Sequence, residues 1–401
     1  VTSFDASPHP HVWRAVLALA VVFVMLATTG WTALRDHRGP TDLEASVAAW
    51  EHGRIDGHRL PRATSAPARL ARFFASLTEA QRTRLAHRYP LAVGNMNGAP
   101  VTLRYQANRL ALDAARAVEL RRTHDHRLSP AGQQEAGRRV HRYASLLGAD
   151  RHILAFDPAG PGRVAEVLGD LDHAERVSVV VPGVDTALLT FQRTGRKYTA
   201  PAGMAEALYA AERAASPGTR TAVIAWADYT TPNGVGMEAA TAARAERGAV
   251  RLDALVRALP GRSAVSLFCH SYGSVVCGLA ARGLPARVTD IAVAGSPGMR
   301  AANVSRLRTS ARVWAMRDAD DWIGEVPYLE LGGLGHGADP MSAAFGARTV
   351  SAGGAKGHGG YFVPGTESLR NLAGIGVGAY RAVACAEAGD TCREDMSGTA
   401  A

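Results

Sequence analysis

The hydrophobic and polar positions change character several times along the chain. Twenty consecutive residues between Arg14 and Arg35 carry no charge, and most are Ala, Val, Leu, Phe or Met. At about 1.5 Å per residue such a helix spans about 30 Å, the thickness of a bilayer's hydrocarbon core. It shows no polar stripe, and Trp13 and Trp31 stand where interfacial tryptophans anchor a span. Residues 1–35 are therefore expected to be a membrane anchor or a signal segment. The small residues at 27–30 permit cleavage, but no clean Ala-x-Ala follows. Residues 36–68 lack strong periodicity and read as a linker with a short helix near 43–50. From 69 to 150 the pattern is helical. Leu70, Phe73, Phe74 and Leu77 recur at helical spacing, Thr78-Glu-Ala-Gln81 has the form of a helix start, and 90–100 reads as a loop.

From 151 to 383 the pattern becomes alternating. Apolar runs of strand length occur at 153–156, 177–181, 222–226, 264–268, 291–294 and 313–316, with helical segments at 203–214, 236–258 and 274–282. Unbroken apolar strands separated by helices predict a mostly parallel sheet covered on both faces, a three-layer α/β domain. The remaining 384–401 form a polar tail.

Composition adds little chemistry. The chain has 401 residues, is 47% hydrophobic and 20% charged, and has a net charge of +9. Of 45 basic residues only Lys197 and Lys356 are lysine, a skew that fits a GC-rich coding bias. The arginines of 54–151 are not interleaved with aromatics and no nucleic-acid motif is present, so no nucleic-acid partner is expected. Attraction to an anionic membrane surface fits better. Four cysteines exclude a disulfide-built scaffold. Without a Cys-x-x-Cys pair or a His-Glu-x-x-His run, neither a metal site nor any other cofactor is expected.

One strand ends in a recognisable turn. Residues 263–268 lead into Cys269-His270-Ser271-Tyr272-Gly273-Ser274 and then a helix. This is the Gly-x-Ser-x-Gly nucleophile elbow with Cys269 in place of the first glycine. The elbow is a sharp strand-to-helix turn, so the positions two away from the serine must be small, and its helix N-terminus offers N–H groups to a developing oxyanion. Such hydrolases run serine, acid, histidine along the chain. The strand at 311–316 leads into Asp318, Asp320 and Asp321. Asp321 is preferred because a bulky residue and Ile follow it, with Asp320 and Asp318 as alternates. His358, in the glycine loop before the final helix, is the expected base, His336 is second, and His270 should point elsewhere on the tight turn. The loop after 177–181 contains Pro182-Gly183-Val184, so the N–H groups of Val184 and Tyr272 are the candidate oxyanion donors.

Cys385 and Cys392 bracket a short polar loop and can form a disulfide in an oxidising compartment. Cys277 reads as a small buried hydrophobe, and a bond between it and Cys269 is not expected.

Several stretches together resemble the actinobacterial α/β-hydrolases long known only as a domain of unknown function. They are Phe73-Phe-Ala-Ser-Leu-Thr-Glu-Ala-Gln81, Gly94-Asn95 with Asn97-Gly-Ala-Pro100, Ala107-Asn108, Phe156-Asp-Pro-Ala-Gly-Pro-Gly-Arg163, Val181-Pro-Gly183, His270-Ser-Tyr-Gly-Ser274, Phe345-Gly-Ala347, His358-Gly-Gly-Tyr361 and Asn371-Leu-Ala-Gly-Ile375. They span roughly 70–380. The resemblance implies an α/β-hydrolase fold and carries Ser271 and His358 over as nucleophile and base. This chain departs at Cys269, where that family has Gly, and at Trp322, where the residue after the acid is more often Pro.

The expectation is a serine hydrolase, esterase- or lipase-like, acting on a small-molecule or lipid ester. It would be held at the cell membrane by the N-terminal helix with its body outside the cytoplasm, or secreted. The alternative is a catalytically silent protein of the same fold that serves as an interaction module of the cell envelope.

Overall fold

The computed structural model describes residues 39–386 and 391–394. The chain divides into two units, 1–41 and 42–401, and every element named below lies in the second. The apolar stretch 15–34 falls outside the described residues. Among the described residues no helix is long and apolar enough to cross a membrane.

The lead segment holds six helices: α1 (Asp42–Glu51), α2 (Pro67–Ala75), α3 (Glu79–Arg88), α4 (Pro90–Gly94), α5 (Val101–Arg122) and α6 (Pro130–Leu146). A small hairpin, β1 (Arg54–Ile55) and β2 (His58–Arg59), follows α1. Helix α3 starts where Thr78 and Gln81 close a reciprocal capping box. The expected linker is in fact structured. Trp50, Ile55 and Leu60 are buried in one apolar cluster with Leu70, Phe74 and Leu85, because bulky side chains spaced too irregularly for one helix still converge when a hairpin turns the chain back. The expected loop at 90–100 contains α4, which proline opens at its first position.

The α/β part runs β3 (His152–Asp157), β4 (Arg163–Leu168), β5 (Arg176–Val181), α7 (Pro201–Ala215), β6 (Thr221–Ala227), α8 (Met237–Ala240), α9 (Ala243–Ala258), β7 (Ala264–His270), α10 (Gly273–Ala281), β8 (Val288–Ala294), α11 (Val304–Leu307), β9 (Arg312–Met316), β10 (Glu330–Leu331), β11 (Leu334–Gly335), β12 (Arg348–Thr349) and α12 (Glu367–Val377). Eight strands form one sheet in the order β12-β9-β8-β7-β5-β6-β4-β3. It is parallel from β12 to β6 and antiparallel through β4 and β3. Side chains alternate across it: Val177, Val179 and Val181 enter the cluster shared with α9 and α10, and Val180 enters the one shared with α7 and α12. The single helix expected over 236–258 is broken at 241–242, where Thr241 leaves helical geometry to bridge Leu334.

Strand β4 has no counterpart among the apolar runs. Its fourth residue is Glu166, buried and paired with Arg151 at 2.5 Å, and this charge interrupts the apolar signal. The lead helices lie along the β3 flank: Asn108 Nδ2 donates to the carbonyls of Gly94 and Ile153 at 3.0 and 2.9 Å.

Two disulfides are present. Cys385 and Cys392 are bonded, with Cα atoms 5.5 Å apart. Cys269 and Cys277 are also bonded, with Cα atoms 6.5 Å apart, which corrects the expectation of a free Cys277. The reason is the elbow itself. The turn after β7 folds α10 back along the strand, so the fifth residue of the helix returns beside the strand's end, within the separation a disulfide needs.

Candidate active site

Strand β7 places Cys269 beside Val181 of β5 and Val293 of β8, so the next residues emerge at the C-terminal end of the parallel strands. Ser271 follows with φ +56°, a left-handed conformation that a non-glycine residue adopts only when its surroundings enforce it. Its N–H donates to the Ala294 carbonyl at 3.0 Å, which pins the turn to β8. Two positions on, a side chain on Gly273 would meet the Val181 carbonyl oxygen at 2.2 Å, so only glycine fits. The first small position is Cys269, whose sulfur is bonded to Cys277 underneath the turn.

His358 lies in a 3-10 turn, Gly357–Gly359, just before α12. Its Nε2 is 2.8 Å from Ser271 Oγ, and its Nδ1 is 2.9 and 3.1 Å from the two oxygens of Asp321. Asp321 follows β9, and its side chain is fully buried. Burial alone would raise its pKa. Hydrogen bonds from His358, from Tyr361 Oη (2.5 Å) and from the Ile323 N–H (3.0 Å) outweigh burial and hold the carboxyl below its ordinary range. An ionised carboxylate only accepts, so Nδ1 carries the proton and Nε2 faces Ser271 with its lone pair.

The other candidates fall elsewhere. Asp318 accepts the Gly357 N–H at 2.7 Å and so holds the His358 turn without touching the imidazole. Asp320 is exposed. His336 faces the same cavity as Ser271, but its Nε2–H donates to the Ala239 carbonyl at 2.6 Å. His270 is buried behind the elbow, and its Nε2–H donates to the carbonyl of His358 at 2.6 Å. Burial, reinforced by neighbouring His358, lowers its pKa to about 4. Tyr361 and His270 thus support the acid and the histidine, roles that sequence reasoning did not assign. The only trace of the first is that Tyr361 closes the His358-Gly-Gly-Tyr361 motif.

Val184 and Tyr272 both border the cavity with Ser271. A side chain on Gly183 would come within 2.6 Å of Ser271 Cβ and 3.2 Å of the Tyr272 nitrogen, so the 182–184 backbone lies directly against the elbow. The loop is tied down from its far side. Asp185 N–H donates to the Pro232 carbonyl at 3.0 Å, and Asp185 Oδ1 accepts the Gly234 N–H at 2.7 Å. The Tyr272 phenol points away, donating to the Thr241 carbonyl at 2.8 Å, which leaves its main chain at the elbow.

A cavity of about 360 Å³ opens in front of Ser271. Its walls come from the α8 segment, from the residues after Asp321 and from the β10–β11 hairpin. Trp322 stands at the mouth, with its ring 4.9 Å from that of His358. Among the described residues no cluster of His, Cys, Asp and Glu is arranged to hold a metal.

Comparison with known proteins agrees with this architecture. Residues 157–331 match the family described as alpha/beta hydrolase, and the sheet order, elbow and loop placement are those of an α/β-hydrolase fold. An uncharacterized protein of Mycobacterium tuberculosis is 30% identical over 384 residues, covering 81% of this chain and 57% of its own length. An uncharacterized protein of Mycobacterium bovis is 35% identical over 163 residues, 39% of this chain and 60% of that one. The chain thus spans somewhat more than half the length of these relatives. Among solved structures, a 2,6-dihydroxy-pseudo-oxynicotine hydrolase is 12% identical, with 71% of this chain and 79% of that one covered and a TM-score of 0.31. A lipase/esterase from Lactobacillus plantarum is 14% identical, with 43% and 78% covered and a TM-score of 0.24.

Proposed function

We propose that the chain is a serine hydrolase that cleaves a carboxylic ester through an acyl-enzyme. The observation that carries this reading is the unbroken line of contacts from Ser271 Oγ through His358 to Asp321. His358 Nε2 takes the proton as Ser271 Oγ attacks the ester carbonyl. The N–H groups of Val184 and Tyr272 receive the oxyanion. His358 then protonates the departing alcohol, and water, deprotonated by the same nitrogen, releases the acid. Asp321 fixes the tautomer and stabilises the imidazolium. The arrangement asks nothing of a metal or organic cofactor. Two disulfides support a body placed in an oxidising compartment, outside the cytoplasm. The uncharged stretch 15–34 supports attachment to the membrane there, or secretion if it is cleaved.

A fluorophosphonate probe tests the reading, applied to the chain and to its Ser271→Ala and His358→Ala variants. Labelling that disappears in both variants is expected. A folded wild-type chain that takes no label would sink the hydrolase reading and favour an interaction module of the cell envelope.

A further inference from the structure

The cavity in front of Ser271 names a substrate class. None of its lining residues carries an ionised side chain. Its single titratable imidazole, His336, has its pKa lowered by burial and is neutral. Charged groups beside the cavity are paired with one another or bonded to main chain and do not line it. Arg300 pairs with Glu330 at 2.8 Å and donates to the Gly335 carbonyl at 2.7 Å, while Arg244 pairs with Glu238 at 2.7 Å. The apolar surface continues to the rim. Of the ten exposed large hydrophobic residues among those described, four border this cavity: Val235, Trp322, Leu329 and Leu334. Exposed apolar side chains scattered singly need no explanation, but a contiguous set around a cleft marks a binding site.

We propose that the ester bound here carries an aliphatic chain of medium length, held between the α8 segment and the β10–β11 hairpin. This rests on the hydrolase reading of Ser271. A charged or sugar-like substituent entering this cleft would lose its hydration and find few partners. An alkyl chain loses nothing and covers the apolar walls. The cavity, about 360 Å³, lies in the range of small-molecule sites and is bounded by its walls, which favours a chain of limited length over a very long one. Two kinds of ester present such a chain, one on its acyl side and one on its alcohol side, and both are covered by the test.

The full chain is assayed with p-nitrophenyl acetate, butyrate, octanoate and palmitate, and in parallel with the acetates of ethanol, butanol and octanol. In one of the two series kcat/KM is expected to rise by up to about fourfold per methylene, the equivalent of ~0.8 kcal/mol; if that is the acyl series, it then levels or falls at palmitate. The series that rises identifies the side of the ester the cavity receives. Ala240→Phe, which fills the cleft, is expected to depress the octyl or octanoyl ester far more than the shortest one. If that variant does not fold, the labelling rates of wild-type Ser271 by methyl and octyl fluorophosphonates give the same discrimination, the octyl reagent reacting faster. Equal rates, or flat profiles in both series, would overturn the aliphatic-chain assignment while probe labelling kept the hydrolase reading intact. An absence of labelling would remove both.

Discussion

Buried polar side chains occur at both the β3 flank and the C-terminal end of β7, but they are bonded differently. Where the lead helices meet β3, Asn95, Asn108 and Arg104 bond mainly to main chain, while the carboxylates of the strands themselves, Asp157 and Glu166, are closed off by Arg163 and Arg151. Asn95 Nδ2 donates to the Phe156 carbonyl at 2.7 Å and its Oδ1 accepts the Phe156 N–H at 3.1 Å, so its amide stands in for a neighbouring strand. Asn108 bridges two carbonyls, and the buried Arg104 guanidinium donates to the Gly94 carbonyl at 3.2 Å, its pKa lowered to about 10 by burial. At the elbow, the polar side chains bond to one another, from Tyr361 to Asp321 to His358 to Ser271, and the last of them borders a cavity. A side chain bonded to the backbone fixes where an element sits. A relay of side chains ending at open space can move a proton.

The widest separation between the two regions should come from a matched pair of variants. Asp321→Asn is expected to lower kcat by roughly 10⁴-fold, because an amide that donates to Nδ1 forces the proton onto Nε2 and leaves Ser271 without an acceptor. Asn108→Ala is expected to cost roughly 1–3 kcal/mol of stability and to leave kcat per folded molecule unchanged. Ester turnover and urea unfolding on both proteins decide the matter. A large loss of kcat in Asn108→Ala would erase the distinction between the regions.

His270 tests the comparison from inside the site, because it bonds to main chain as Asn95 and Asn108 do. Its pKa is lowered to about 4 in the folded chain, against about 6.5 when unfolded. Below pH 6.5 the unfolded chain binds a proton that the folded chain refuses, so stability is full above that pH. It falls as pH drops toward 4 and levels off below. A shift of this size corresponds to roughly 3 kcal/mol. His270→Gln should flatten the stability profile between pH 6.5 and 4, as measured by urea midpoints across that range. An unchanged profile would mean that His270 does not refuse the proton.

Much of this was legible in the sequence, and the gaps have physical causes. Unbroken apolar runs reveal β3, β5, β6, β7, β8 and β9 because strands buried on both faces tolerate little else. Strand β4 was hidden by Glu166, whose partner Arg151 lies before β3 and so cannot be read as a partner from local pattern. The elbow shows itself through the small residues that its turn demands. The sequence order of Ser271, Asp321 and His358 narrows the acid to one loop, and the choice of Asp321 over Asp318 depends on which carboxylate the folded loop turns toward His358. The Cys269–Cys277 bond was missed, because its eight-residue spacing closes only once α10 folds back along β7 across the elbow. The bond from His270 to the His358 carbonyl joins the end of β7 to a turn 88 residues further on, and only the assembled sheet brings them together.

Tyr361 offers the finest test, since it touches the acid but neither the serine nor the histidine nitrogen that faces it. Its hydroxyl donates to Asp321 Oδ2 and accepts the Asp318 N–H at 3.1 Å, and burial, with the hydrogen bond to Asp321, raises its pKa well above the usual range for tyrosine. It therefore remains a donor throughout the working pH range. Tyr361→Phe removes one of the three hydrogen bonds that hold the Asp321 carboxyl low. The carboxylate still meets His358, so the expected loss in kcat is only about tenfold, or ~1.4 kcal/mol, with little change in KM. The second readout is acid stability. A carboxylate held below its unfolded pKa stabilises the chain above that pKa, and this contribution is lost as pH falls through the folded value. With one donor gone the folded value rises and the contribution shrinks, so the acid-unfolding midpoint moves to higher pH. A kcat loss without any shift of that midpoint would mean that Tyr361 acts by packing against the His358 turn and not by holding the charge of Asp321.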